Sequence, residues 1–404
     1  MAVGKESLLE VHPVSGIRLA SVQAGIRYAD RYDLVLVELA EGSISAGVFT
    51  RNAFCAAPVI VARQNLAVMA PRYLLINTGN ANAGTGKQGM TDALGCCAQL
   101  AELQKIDAQA VLPFSTGVIG ESLPVDKLIA ALPEAVAALA PDQWLAAARG
   151  IMTTDTRPKL ASKKVQLGET TVTITGMAKG AGMLKPNMAT MLAYVFTDAQ
   201  FAKPALRQAL STAVELSFNR LTVDGDTSTN DACILVATGQ SGVEPETDEA
   251  CLKAFQHALN DLMIELATGL IRDAEGATKF VTIAVQGGES VAECLQVAYC
   301  VAESPLVKTA LFASDPNWGR ILAAVGRAGL ENLDLDAITI SLGDVPLVAD
   351  GGRDPRYSEA AGQSEMDREE ITITINLGRG DHAETVWTSD LSHEYVRINA
   401  EYRS

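Results

Sequence analysis

The sequence predicts an α+β fold in which helices and mixed β-sheets pack in layers. Two observations point to it. Short apolar runs typical of strands alternate with amphipathic helical segments along nearly all 404 residues. Some strand segments alternate polar and apolar side chains, which is typical of a sheet with one wetter face. Such a mixture favours a layered α/β sandwich, although it does not determine the order of the strands.

The predicted elements follow from local patterns. Two segments predict amphipathic helices: one opens with Pro204 in its first turn, and the other carries a stripe from Leu252 to Leu266. The segment YLLINTGNANAGTGKQGMTDALGCCAQLAEL predicts a strand, a loop and a helix. We expect the polar stretch DGGRDPRYSEAAGQSEMDREE to be a surface loop. The predicted strands are DLVLVELA, SAGVFT, TTVTITGMA, TMLAYVFTDA, KFVTIAVQGG, AITISLG and EEITITINLG.

Composition excludes several classes of function. The net charge of −16 argues against binding to nucleic acid, which needs clustered Lys and Arg. No apolar run reaches the 18 residues of a membrane span, and the first residues lack the apolar core of a secretory signal. The seven cysteines have irregular spacing without metal-ligand pairs, so we expect a cytosolic protein with reduced cysteines and no metal. The four histidines lie outside any catalytic motif, which disfavours a Ser-His-Asp triad.

Two polar stretches resemble ligand-binding loops but fail at defining positions. In NANAGTGKQ a phosphate loop would need Gly at Ala81 and Ser or Thr at Gln88, so a glycine-rich turn is the better interpretation. In DGDTSTND a calcium loop would need Gly at Thr229 and Glu at Leu235. We therefore expect local Asx and Ser/Thr turns there, with the wall of a polar pocket as the alternative.

Two further stretches could carry chemistry. FSTGVIGE predicts a small-residue turn, in which Thr116 and Gly117 could form an oxyanion hole or could simply cap a helix. IMTTDTRPK concentrates hydroxyl groups and a carboxylate, which suits either capping or contact with a substrate. The residues alone leave both pairs of alternatives open.

The stretch GAGMLKPNMATML ends on Thr190 just before an apolar run. A threonine hydroxyl can attack the preceding carbonyl, and hydrolysis of the resulting ester leaves a free N-terminal threonine. Its α-amine, with an ordinary pKa of about 8, can act as the base for its own hydroxyl, so no histidine is required. A glycine-proline loop leading into a strand is the simpler alternative.

KGAGMLKPNMATMLAYVFTDA closely resembles the self-cleavage motif of the ornithine acetyltransferase family of arginine biosynthesis, also called bifunctional glutamate N-acetyltransferase. Further matches run in the same order through the whole chain. They are GNANAGTG, STGVIGE, IMTTDT, VDGDTSTND, AEGATKF, SDPNWGRILAAVG and SHEYVRINAEY.

The resemblance implies cleavage between Ala189 and Thr190 into an α chain, residues 1–189, and a β chain, residues 190–404. It implies that Thr190 takes acetyl from N2-acetyl-L-ornithine and passes it to L-glutamate in a ping-pong reaction. Thr116 and Gly117 match the oxyanion hole. Lys179 suits a substrate carboxylate, and Glu275 suits a substrate ammonium. The positions that match substrate contacts are Thr153, Lys179, Thr190, Glu275, Asn399 and Ser404.

Some consequences of the resemblance stay open. Thr154 could replace Thr153 as the contacting hydroxyl, and the family often ends in Thr where this chain has Ser404. No cofactor is needed, although some members accept acetyl-CoA as a second acetyl donor. The resemblance implies an α2β2 assembly and a sandwich layered like the N-terminal nucleophile hydrolases with a different connectivity. The rival function is an N-terminal-threonine amidohydrolase or aminopeptidase, which would send the acyl group to water.

We expect the purified protein to give two fragments by intact mass, the second beginning at Thr190. Thr190→Ala removes the attacking hydroxyl, so this variant should remain one chain of 42.6 kDa and lack activity. Cleavage of the alanine variant at the same bond would remove Thr190 from the mechanism. A single intact chain for the unaltered sequence would favour a non-catalytic binding protein.

Overall fold

The computed structural model describes residues 2–4, 10–185 and 191–402. The chain divides into two compact units. The larger unit comprises Ser7–Asn219 and Thr227–Leu270. The smaller unit comprises Met1–Glu6, Arg220–Asp226 and Ile271–Ser404. The predicted cleavage into residues 1–189 and 190–404 is a different division of the chain and stays a prediction.

The larger unit is built from two mixed sheets and the helices that cover them. Its strands are β1 Ile17–Val22, β2 Leu34–Leu39, β3 Ile44–Phe49, β4 Tyr73–Asn80, β5 Val111–Val118, β6 Lys159–Leu167, β7 Thr170–Lys179, β8 Leu192–Thr197 and β9 Ala232–Ala237. Its helices are α1 Ala57–Val68, α2 Gly86–Gln104, α3 Val125–Ala137, α4 Trp144–Gly150, α5 Lys203–Leu216 and α6 Glu249–Arg272, which ends two residues into the smaller unit.

The two sheets of the larger unit pack face to face. One has the order β1-β2-β4-β5, and the other has the order β3-β9-β8-β7-β6. Each contains one parallel pair, β4 with β5 and β8 with β9, and these strands are buried along nearly their whole length. Strands buried on both faces read as continuous apolar runs, which explains YLLIN and LAYVF. Phe114 from the first sheet and Tyr194 from the second meet edge to face in this core.

Helices cover the outer faces of the sandwich. Helices α2 and α3 pack their apolar residues against the outer face of the β1-β2-β4-β5 sheet. Helix α6 lies over the other sheet, where Gly176 leaves room for Leu262 and Leu266. The unit therefore has the order helix, sheet, sheet, helix, and the layered α+β sandwich that the sequence predicts is confirmed.

The smaller unit has one mixed sheet of the order β13-β12-β11-β14-β10-β15. Its core lies between this sheet and the helices packed on it, with Ile283, Val297 and Ile373 fully buried. Its strands are β10 Phe280–Gly288, β11 Thr339–Leu342, β12 Val345–Ala349, β13 Gly352–Arg353, β14 Glu370–Asn376 and β15 His382–Ser389. Its helices are α7 Val291–Ala302, α8 Pro305–Phe312, α9 Trp318–Gly326, α10 Glu359–Met366 and α11 His393–Ala400.

The prediction of a surface loop at residues 350–370 was wrong. This stretch contains β13 and α10, and it buries Asp354, Tyr357 and Met366. Helix α10 buries only two of its residues, so its sequence carries almost no amphipathic period. Its start is capped instead by Ser358, whose Oγ accepts from the Ala361 amide at 3.3 Å.

None of the helices in the described ranges is both long and apolar enough to cross a membrane.

We expect Phe114→Ala to lower the free energy of unfolding by about 3–5 kcal/mol, because it leaves a cavity between the two sheets. Phe114 is 1% exposed, and its ring centroid lies 5.3 Å from that of Tyr194. Leu145→Ala is the control, since Leu145 is 46% exposed, and it should cost less than about 1 kcal/mol. Urea unfolding followed by circular dichroism measures both. Equal losses would contradict the sandwich core described above.

Candidate active site

A buried lysine bridges the two sheets of the larger unit. Lys179 is the last residue of β7, and its Nζ donates to Oγ1 of Thr116, on β5, at 3.0 Å. Their relative exposures are 9% and 8%. Within one sheet, Lys179 lies opposite Leu192, and Leu192 lies opposite Ala232. The end of β7, the end of β5 and the first residues of β8 and β9 therefore lie at one end of the sandwich.

The prediction of a turn at FSTGVIGE was wrong for Thr116 and Gly117, because both lie within strand β5. Gly117 has a φ of +135°, and a β-carbon there would lie 2.3 Å from the carbonyl carbon of Gly79. Only glycine therefore allows β5 to pass the end of β4 so closely. The sequence pattern identified a small residue at 117. It did not show why glycine is needed there, which is the close contact between the backbones of β5 and β4.

The hydroxyl-rich segment at 152–156 is tied to this end of the sandwich. The Thr153 amide donates to Oδ2 of Asp155 at 3.0 Å, and the Gly180 amide donates to Oδ1 at 2.8 Å. Arg31 adds a second restraint through its bond to the carbonyl of Met152 at 2.5 Å. Both Thr153 and its neighbour Thr154 are half-buried. Which of the two hydroxyls meets a substrate stays a prediction.

The segment DGDTSTND makes the local turns predicted for it. The Asp226 amide donates to Asp224, and the Asn230 amide donates to Oγ of Ser228. Asn230 also reaches β5, since its Nδ2 donates to the carbonyl of Ser115 at 2.9 Å. Among the residues that the structure describes, no group of three or more His, Cys, Asp or Glu is arranged to hold a metal ion.

Asp231 is a buried carboxylate at this end that the sequence reasoning missed. It is 3% exposed, and its Oδ2 has no hydrogen-bond partner. Burial raises the pKa of Asp231 well above its usual value, against the opposing effects of a Ser228 hydrogen bond and the Lys179 charge. The sequence did contain an indication of this residue. Asp231 directly precedes the fully buried strand ACILVA, where a carboxylate is unusual.

The loop NANAGTGKQ is a hydrogen-bonded turn, as its glycine-rich pattern predicts. Asn82 is fully buried; its Nδ2 donates to the carbonyl of Gly89 at 2.9 Å, and its Oδ1 accepts from the Thr85 hydroxyl at 2.8 Å. Asn82 itself has a φ of 45°, in the left-handed region that asparagine tolerates. These bonds give the side chains of Asn82 and Thr85 partners within the turn itself, so a phosphate ligand is not needed to explain them.

The smaller unit brings together two of its predicted substrate contacts. Nδ2 of Asn399, on α11, donates to Oε2 of Glu275 at 2.7 Å, and Glu275 is 8% exposed. Gly276 has a φ of +69°, and a β-carbon there would lie 2.5 Å from the Tyr395 amide nitrogen. Glycine at 276 thus lets α11 begin against the turn that carries Glu275. Ser392 secures this arrangement by donating to the Gly276 carbonyl at 2.7 Å.

Three predicted residues lie outside the described residues. They are Ala189 and Thr190 at the expected cleavage site and Ser404 at the end of the chain. Their neighbour Met191 is described, and its carbonyl accepts from the Ala232 amide at 2.9 Å. The residue that follows Thr190 is therefore held beside the start of β9, next to Asp231.

The ArgJ family model matches residues 18–404 of this chain. The arginine biosynthesis bifunctional protein ArgJ of Pseudomonas syringae pv. tomato is 56% identical over 407 residues, covering 100% of both chains. The protein of the same name from Psychrobacter arcticus is 54% identical, again over 100% of both chains.

Two solved structures are similar to parts of the chain. The Bacillus halodurans arginine biosynthesis bifunctional protein ArgJ is 35% identical, with a TM-score of 0.49, covering 51% of this chain and 97% of that one. The ornithine acetyltransferase of Mycobacterium tuberculosis, solved in complex with ornithine, is 36% identical, with a TM-score of 0.39, covering 44% and 94%.

The family match over nearly the whole chain, together with identities above 50% over full length, confirms the resemblance drawn from the motifs. The chain belongs to the ArgJ family of bifunctional acetyltransferases of arginine biosynthesis.

Proposed function

We propose that this enzyme moves acetyl from N2-acetyl-L-ornithine to L-glutamate through an acetyl ester on Thr190, after cleaving itself between Ala189 and Thr190. The observation that carries the proposal is the contact between Lys179 and Thr116, 3.0 Å apart. It joins a buried cation to a buried hydroxyl at the end of the sandwich where β8 begins. Buried polar groups gathered in this way are typical of active sites.

The chemistry requires only one nucleophilic residue. The Thr190 hydroxyl attacks the acetyl carbonyl while its proton passes to the Thr190 α-amine. Ornithine leaves as the carbon–nitrogen bond breaks, and its nitrogen takes that proton. The uncharged amine of glutamate then attacks the ester carbonyl, and one of its protons passes through the Thr190 α-amine to the threonine oxygen as the ester carbon–oxygen bond breaks. Thr116 and the Gly117 amide are proposed to stabilise the oxyanion in each half-reaction.

Charge in each unit supports the substrate assignments. Lys179 would pair with a substrate carboxylate, and Thr153 would lie against the same substrate. In the smaller unit, Glu275 is held by the neutral Asn399 amide, and none of that unit's described residues forms an ion pair with it. A buried carboxylate without a cation is suited to the side-chain ammonium of acetylornithine. Ser404 is proposed as a further substrate contact.

We propose that the reaction uses no cofactor, because the ester stores the acetyl group between the two amines. The proposed assembly contains two copies each of the α and β chains. Use of acetyl-CoA as a second donor is a separate question, which the same assay answers when acetyl-CoA replaces acetylornithine.

Incubation with acetylornithine, with and without glutamate, tests the reaction. We expect acetylglutamate to form in equal amount with ornithine, with parallel double-reciprocal lines because the two substrates bind in turn. Chromatography of the amino acids measures both products. Free acetate as the only acyl product, with or without glutamate, would instead establish the rival amidohydrolase.

We expect Glu275→Gln to raise the KM for acetylornithine about tenfold or more, because a hydrogen bond to a charged group is worth about 1.5–3 kcal/mol. Glutamine keeps the shape and can still accept from Asn399. Initial rates at varied acetylornithine measure the effect. Glu331→Gln removes an exposed carboxylate of the same unit and should leave the KM unchanged. An unchanged KM in Glu275→Gln would remove Glu275 from donor recognition.

A further inference from the structure

One buried carboxylate at the active end of the larger unit has no role in the proposed chemistry, yet it joins three segments. Asp155 accepts from the Thr153 amide through Oδ2, at 3.0 Å. Its Oδ1 accepts from the Gly180 amide at 2.8 Å and from Nζ of Lys159 at 2.5 Å. These donors belong to the hydroxyl-rich segment, to the residue after Lys179, and to the first residue of β6.

The surroundings keep this carboxylate charged. Its side chain has no solvent exposure, and that of Lys159 is only 3% exposed. Burial by itself would raise the pKa of Asp155, but the charges of Lys159 and Lys179 and the hydrogen bonds from Lys159 and Gly180 hold it well below its usual range. A charged carboxylate is a stronger acceptor for backbone amides than a neutral group.

We propose that Asp155 is a positioning residue for acetyl transfer, which holds Thr153 and the Lys179–Gly180 junction in one fixed arrangement, with Lys159 as its counter-ion. This proposal rests on the proposed function, since Thr153 and Lys179 are its substrate contacts. Oδ2 binds the Thr153 amide, and Oδ1 binds both the Gly180 amide and the counter-ion. Displacement of Asp155 would therefore move both substrate contacts together.

Asparagine cannot reproduce this arrangement. Asp155 offers one oxygen to Thr153 and the other to Gly180, whereas an asparagine side chain has one oxygen and one NH2 group. The NH2 group would face an amide donor, so one of the two backbone amides would lose its acceptor. The single variant would also remove the charge that pairs with the buried Lys159, which is destabilising.

The test therefore compares two variants that both lack the ion pair. Lys159→Met keeps the apolar stem of the side chain and leaves Asp155 with both amides and the Lys179 charge. Asp155→Asn combined with Lys159→Met removes the charged acceptor as well. Each is assayed for acetylglutamate formation at varied acetylornithine, and thermal unfolding is recorded for both. Intact mass gives the extent of self-cleavage separately.

We expect the KM of Lys159→Met to stay within about threefold of the unaltered enzyme, and the KM of the double variant to rise about tenfold or more. Loss of folded protein lowers the maximum rate but not the KM, so the KM separates positioning from stability. Asp198→Asn is the matched control. That buried aspartate accepts from the Thr173 amide at 2.8 Å, at the opposite end of β8, and its loss should leave the KM unchanged.

Equal KM values for Lys159→Met and the double variant would overturn the proposal, as would an equal increase in Asp198→Asn. Absence of acetyl transfer by the unaltered enzyme would instead refute the proposed function. If the double variant does not fold, Asp155→Asn alone is assayed at low temperature against the unaltered enzyme, and a KM within about threefold of the unaltered value would overturn the proposal.

Discussion

The structure of the larger unit depends on how charge is accommodated at one end of its sandwich. Two sheets packed through apolar side chains exclude water, and a charge buried between them is costly unless it is paired. The Asp155–Lys159 ion pair satisfies this requirement at the end where β5 and β7 stop. Lys179 donates there to the Thr116 hydroxyl, and its charge also acts on Asp155. The strand orders of the two sheets bring these residues together.

Close contacts and pairing between backbones position the other residues at this end of the sandwich. Gly117 lets β5 pass within contact distance of the end of β4, and Asn230 then bonds the carbonyl of Ser115, one residue before Thr116. The parallel pairing of β8 with β9 sets Met191 beside Asp231. The proposed nucleophile directly precedes Met191, so it adjoins backbone that two neighbouring strands hold in place. A catalytic group must be held rigidly in this way to react in the correct orientation.

Local patterns predicted the strongly periodic elements, because a strand or helix that buries one face carries that period in its own residues. The same reasoning failed at residues 350–370, where α10 buries little, and at Thr116, where the small side chains of the edge strand β5 suggested a turn. The Lys179–Thr116 contact spans 63 residues and depends on sheet order, which no local period contains. The residues alone suggested Thr116 as one of two alternatives, and only resemblance to a family indicated Lys179. For the segment that contains Asp155 they left capping and substrate contact both open, and Asp231 was missed.

Buried carboxylates are held in two ways, one in each unit. Asp155 and Lys159 neutralise each other, so their bond is complete without a ligand. In the smaller unit, Glu275 is held by the neutral amide of Asn399. A neutral partner orients a charged group without cancelling its charge. The Glu275 carboxylate is therefore held in place at the cost of its hydration, and a cationic group of a ligand would restore what folding removed.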